Sequence, residues 1–169
     1  GHSHGARMTL ATMHLLVGGV VQGYSLACPP GASHRFRVVL GAAAVDHNWL
    51  NPGERYGCAM PITECLLNLR SRHDGALSAY PLSRPFFKAA LGKKGFTNRD
   101  LRHLGPLACR IRECDVPHYL QQHHFWQYYN RHPALASWTV PYVYFPDVHA
   151  SRGVMTPAPV DVPPGDAGG

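Results

Sequence analysis

His34-Arg35-Phe36-Arg37-Val38-Val39-Leu40-Gly41, entered through Pro30-Gly31-Ala32-Ser33, is the stretch on which the fold turns. Its centre is apolar and β-branched, which predicts a strand over 34–40. Successive side chains of a strand point to opposite faces, so Phe36, Val38 and Leu40 share one face and Arg35, Arg37 and Val39 the other. His34 falls on the Phe36 face, at the strand's start. A turn near Gly41 is expected to bring Val45, Asp46 and His47 back along a neighbouring strand, giving a small antiparallel sheet packed against helices, an α+β fold.

Downstream, Glu113-Cys114-Asp115-Val116-Pro117-His118-Tyr119 predicts a cysteine opening a helix. The helix would begin near Asp115 or Val116, accept Pro117 in its first turn, and end before His132-Pro133. A thiol at a helix N-terminus feels the positive end of the peptide dipoles, which favours the thiolate. With Cys114 as nucleophile, His34 is the expected base and His47 the orienting group, Asp46 being a rival orienter. Backbone amides near Cys114 would meet the oxyanion. The competing reading is Cys114 as a small buried side chain.

The remaining elements are read in the same way. Thr9 to Val21 fits a helix or a strand equally. Ile62, Cys65, Leu66 and Leu69 have helical spacing, so Met60 to Arg70 is read as a helix. Thr97 followed by Asp100 is a helix start leading through Leu101 and Leu104. Leu107 to Ile111 and Trp138 to Phe145 are read as strands. Residues 1–7 are expected as a flexible lead, 8–146 as one domain, and 147–169 as a Pro- and Gly-rich tail without fixed structure.

With 169 residues the chain suits a single domain with a modest core. Sixteen Lys and Arg against ten Asp and Glu give +6, which permits an anionic partner without specifying one. Five cysteines, an odd number, with no secretory signal in view argue against a full disulfide framework and for a reducing compartment. No run reaches the roughly 18 apolar residues of a membrane span. Arg84, Lys88, Lys93, Lys94, Arg99 and Arg102, interleaved with Phe86, Phe87 and Phe96, suit contact with RNA or a membrane surface. Cys109, Cys114, His118 and His123 or His124 are zinc-compatible types, but no Cys-x-x-Cys pair supports such a site. No cofactor is implied.

Pro30-Gly31 with His34 to Gly41, His47, and Glu113-Cys114 with His118-Tyr119 resemble the H-box and Asn-Cys box of the lecithin retinol acyltransferase and H-rev107-like proteins. Within that group the chain is similar to the 2A-type proteins of kobuviruses and parechoviruses. The resemblance spans roughly Ser25 to Asn130. It implies an NlpC/P60-like fold with a Cys114-His34-His47 site. It also implies a viral nonstructural protein in the host cytoplasm, supporting RNA replication or binding host and viral replication proteins. A thiol-dependent acyltransferase or phospholipase-like hydrolase acting on a small acyl substrate is the alternative, and a zinc-stabilised module binding host proteins a further one. Arg35, Glu113 and Asp115-Val116-Pro117 depart from the pattern, and these departures bear on catalysis more than on fold.

Overall fold

Leu66, Leu67 and Leu69 lie in one short segment and are all fully buried, so this segment must be covered on both faces. It is strand β2 (Thr63–Arg70), the middle of a three-stranded sheet with β1 (Phe36–Gly41) and β3 (Ile111–Asp115) in the order β1-β2-β3. The chain is described from a computed structural model over residues 1–27, 29, 34–83, 88–116 and 124–144, with Ser83 and Asn130 by backbone alone. Among the described residues the helices are α1 (His4–Leu16), α2 (Gly75–Ser78), α3 (Leu91–Lys94), α4 (Asn98–Leu104), α5 (Trp126–Arg131) and α6 (Pro133–Val143). Short 3-10 turns cover Gly57–Ile62, Tyr80–Ser83 and Gly105–Arg110.

Both strand pairs are parallel, which corrects the antiparallel, NlpC/P60-like sheet expected from the sequence. Phe36 pairs with Thr63 at one end, and Gly41, Leu69 and Cys114 align at the other. The strand over 34–40 forms essentially where expected, but the chain does not fold back after it. Residues 42–45 are buried, and the amide of Gly92 in α3 donates to the Ala43 carbonyl at 2.9 Å. His47 lies in a turn rather than on a return strand. The chain then crosses to the far end of the sheet before β2 begins. Parallel strands need such crossovers and are buried on both faces.

The two faces build two cores. Val38, Leu40 and Leu66 pack with Ala6, Leu10 and Met13 of α1, with Leu91 and with Leu104. Leu67 and Leu69 pack with Leu77, Tyr129 and Leu135, and Trp138 and Tyr142 of α6 lie against them. This two-sided burial explains why 60–70, expected as a helix, is a strand. A buried parallel strand is a near-continuous apolar run, and such a run satisfies helical spacing too. Trp138 to Phe145, expected as a strand, falls largely in α6. Pro133 sits in its first turn, and Leu135, Trp138 and Tyr142 share its inner face.

The opening residues are anchored rather than loose. The Ser3 amide donates to the Gly41 carbonyl at 2.9 Å, the Gly41 amide to the Gly1 carbonyl at 3.0 Å, and the Gly1 nitrogen to the Val39 carbonyl at 2.7 Å. Gly1 to Ser3 thus runs parallel to the end of β1, and α1 starts immediately after. Ala6, Leu10, Met13 and His14 form the buried stripe that settles the undecided 9–21 region as helix up to Leu16, the chain turning at Val17 and Gly18. The helix expected after Thr97 is α4, with Thr97 and Asp100 in a reciprocal capping box. The tail over 147–169 lies outside the described residues.

Candidate functional site

Three segments meet at the carboxyl ends of the parallel strands, where open α/β sheets place their ligands. The first is Gly1-His2-Ser3-His4-Gly5. Ser3 has φ 51° and ψ −122°, a conformation that a non-glycine residue rarely adopts. Serine before a helix ordinarily caps it by accepting from an amide of the first turn. Ser3 makes no such cap. Its hydroxyl instead faces His124, Oγ to Nε2, at 2.8 Å. A Cβ on Gly1 would come within 2.8 Å of Thr9, Gly5 and Ala6, so only glycine lets the backbone at this position approach α1 this closely.

The second segment follows β2. Asp74 is completely buried and caps α2, its Oδ1 accepting from the Leu77 amide at 2.9 Å. Its other oxygen, Oδ2, is 2.7 Å from His124 Nδ1. The third segment follows β3 and supplies His124, whose side chain is 19% exposed and so reachable from solvent. A carboxylate only accepts, so Nδ1 carries the proton and Nε2 is left to accept from the Ser3 hydroxyl. His2 adds a second link, its Nε2 donating to the His124 carbonyl at 2.6 Å. The His2 ring lies against Trp126 and Tyr129, and its burial pushes its pKa down.

A hydroxyl, an imidazole and a buried carboxylate thus stand in a row, the order in which nucleophile, base and orienting group stand in a catalytic triad. The His4 amide, first of α1, lies where no earlier helical carbonyl can bind it, next in sequence to Ser3 and at the positive end of the helix. A cleft of about 320 Å³ opens beside the site, lined by Ser3, His4, Ala44, Ala76, Leu77, Ala79, Tyr80 and His124.

The Cys114-His34-His47 grouping is not assembled. Cys114 lies within β3, not at a helix start, and packs on the face of Leu69, Trp138 and Tyr142. Burial pushes its thiol pKa up, the nearby Arg112 only opposing this, so the expected thiolate is disfavoured. His34 is exposed just before β1, at the other end of the sheet. Phe36 to Gly41 alone spans about 16 Å at the usual rise per residue. His47 pairs through Nδ1 with Asp100 Oδ2 at 2.7 Å. Burial alone would raise the Asp100 carboxyl, but hydrogen bonds from Thr97, Asn51 and His47 outweigh it and hold it at about 2. Glu113 joins β3 to its neighbours, its Oε1 accepting from Asn68 Nδ2 at 2.8 Å and from the Phe96 amide at 3.0 Å. The Asp46 carboxylate accepts from the Tyr80 hydroxyl at 2.9 Å.

In the basic stretch, Lys88, Lys94, Arg99 and Arg102 are exposed, and Lys93 is half-buried with its ammonium on the Ser78 hydroxyl. Phe96 is in the core and cannot stack on a base; Arg84, Phe86 and Phe87 lie outside the described residues. No group of three or more His, Cys, Asp or Glu among the described residues could hold a metal ion. His118 and His123 lie outside them, and His124 is taken up by Asp74 and Ser3. No described helix is long and apolar enough to cross a membrane.

The Ser3 site was not expected from the sequence, although a signal for it stands there. Gly1-His2-Ser3-His4-Gly5 has the form Gly-x-Ser-x-Gly of a strand-to-helix nucleophile turn, and Ser3, Asp74 and His124 follow in the order Ser, Asp, His. Comparison of the chain with protein-family models, curated proteins and solved structures finds no match.

Proposed function

We propose that this chain is a serine hydrolase in which Ser3 is the nucleophile, His124 the general base and acid, and Asp74 the orienting carboxylate. The observation that carries the reading is the continuous relay of 2.8 Å from Ser3 Oγ to His124 Nε2 and 2.7 Å from His124 Nδ1 to Asp74 Oδ2. The strained turn at Ser3, its place between the His2–Gly41 bridge and α1, and the chain order of the three groups support it independently. At the level of fold, these features are those of the α/β-hydrolase nucleophile elbow, an analogy that sets the reaction class and not the substrate.

In this reading Ser3 Oγ attacks the carbonyl carbon of an ester while His124 Nε2 takes the hydroxyl proton. The His4 amide and the start of α1 stabilise the oxyanion. Collapse breaks the carbon–oxygen bond to the alcohol, which leaves with the proton from His124. Water then attacks the acyl-serine, His124 takes its proton, and release of the acid restores Ser3. Acyl transfer was also the chemistry expected of the thiol alternative, but the nucleophile is now an oxygen. The parallel sheet corrects the fold that the H-box resemblance implied; the viral 2A-type replication role is a separate reading, which no geometry at the Ser3 site bears on.

A fluorophosphonate probe followed by peptide mass analysis tests the reading. Modification of Ser3 is expected, lost in Ser3→Ala and strongly slowed in His124→Ala. Hydrolysis of p-nitrophenyl acetate should fall by at least about 10³ in either variant. Undiminished hydrolysis in Ser3→Ala, or a wild-type protein whose Ser3 stays unmodified, would sink it.

A further inference from the structure

We infer that the cleft beside Ser3 is an acyl pocket for short, uncharged, apolar acyl groups, and that Ala76 and Ala79 set its reach. The inference rests on the serine hydrolase reading and names the substrate class of that site.

Besides Ser3, His4 and His124, the cleft is lined by Ala44, Ala76, Leu77, Ala79 and Tyr80. The Tyr80 hydroxyl donates to Asp46 Oδ1 at 2.9 Å, so its ring is what remains for a ligand. Among the described residues, no Lys, Arg, Asp or Glu side chain belongs to this wall. An acyl group ending in a carboxylate would therefore lose its water beside the His4 imidazole and the committed His124, with the nearby Arg7 guanidinium already on the Tyr80 hydroxyl, and it would do so next to the buried Asp74 carboxylate. A hydrocarbon group meets no such cost. The volume of about 320 Å³ is near the lower end for ligand pockets, which run from about 300 to 1,000 Å³. That favours a short acyl chain.

The wall and the catalytic carboxylate belong to one segment. Asp74 caps α2, and Ala76, Leu77, Ala79 and Tyr80 follow directly. Leu77 and Tyr80 turn inward and are buried, while Ala76 and Ala79, three apart, are exposed at the rim. Side chains at the two rim positions can therefore grow into the cleft without disturbing the core or the Asp74–Leu77 cap.

The test measures kcat/KM for p-nitrophenyl acetate, butyrate, octanoate, palmitate and monosuccinate, with fluorophosphonate labelling of Ser3 run on every sample. Acetate and butyrate are expected to exceed palmitate and monosuccinate by at least about tenfold. In Ala76→Phe and Ala79→Phe the butyrate-to-acetate ratio should fall by about tenfold or more, since a methylene in an apolar pocket discriminates by factors of this order. Labelling of Ser3 should persist in both, which shows that the site is still folded. Equal use of all chain lengths, equal use of the succinate ester, or an unchanged ratio in both variants, with Ser3 still labelled, would overturn the acyl pocket alone. Absence of Ser3 labelling in the wild-type protein would overturn the hydrolase reading beneath it.

Discussion

Asp74 holds two partners with two different oxygens, Leu77 through Oδ1 and His124 through Oδ2. Asp74→Asn can keep the helix cap through its carbonyl oxygen while losing the carboxylate, so kcat is expected to drop by about 10³–10⁴ with folding stability little changed. Steady-state kinetics alongside thermal unfolding checks both halves. His2 ties the nucleophile's segment to the backbone of the base. His2→Gln, which can still donate to the His124 carbonyl, should retain more activity than His2→Ala, measured as kcat at saturating ester. Asp100 makes a prediction about pH. Its carboxyl ionises at about 2 in the fold, below its ordinary 3.8. A depressed carboxylate contributes its stability in full above its unfolded pKa, about 4, and loses it as pH falls through the folded value. Denaturation midpoints should therefore decline between about pH 4 and pH 2, and the Asp100→Asn variant should show a shallower decline. The Thr97–Asp100 cap was legible because its partners are three positions apart. The Asp100–His47 contact was not, because it joins residues 53 positions apart.

Elements differ in how far local pattern determines them. The capping box of α4 and the alternation of Phe36, Val38 and Leu40 are local, and both elements form where the sequence places them. The apolar run in β2 is ambiguous by itself, and only coverage from both sides makes it a strand. Leu67→Ala, at the centre of that run, is expected to cost about 2–5 kcal/mol in urea unfolding. The turn into α1 is more sensitive still. Gly1→Val would force a side chain against Thr9, Gly5 and Ala6, whereas a Cβ at Gly5 meets nothing within 4 Å. Gly5→Ala should therefore leave Ser3 labelling intact, while Gly1→Val should slow it markedly. Equal labelling of the two variants would show that the close approach of Gly1 to α1 does not position Ser3.

For the molecule as a whole, the sheet separates the residues that the sequence suggested and gathers others. Cys114 and Glu113 point to opposite faces of β3, and His34 lies at the far end. Cys114→Ala should leave ester hydrolysis unchanged. A thiol reagent should modify the exposed Cys58 and Cys109 before the half-buried Cys65 and Cys114, whose thiols burial pushes up. By itself the sequence determined what neighbours decide: the strand after His34, the capped helix after Thr97, and the Gly-x-Ser-x-Gly spacing around Ser3. Strand direction was left to the tertiary structure, because an apolar strand accepts a hairpin or a crossover, and burial of both faces selects the crossover. The site was left to it as well. His124 meets Asp74 across 50 positions and Ser3 across 121, and only a parallel sheet brings the ends of β2 and β3 to the same edge as the end of β1, where His2 bridges to Gly41.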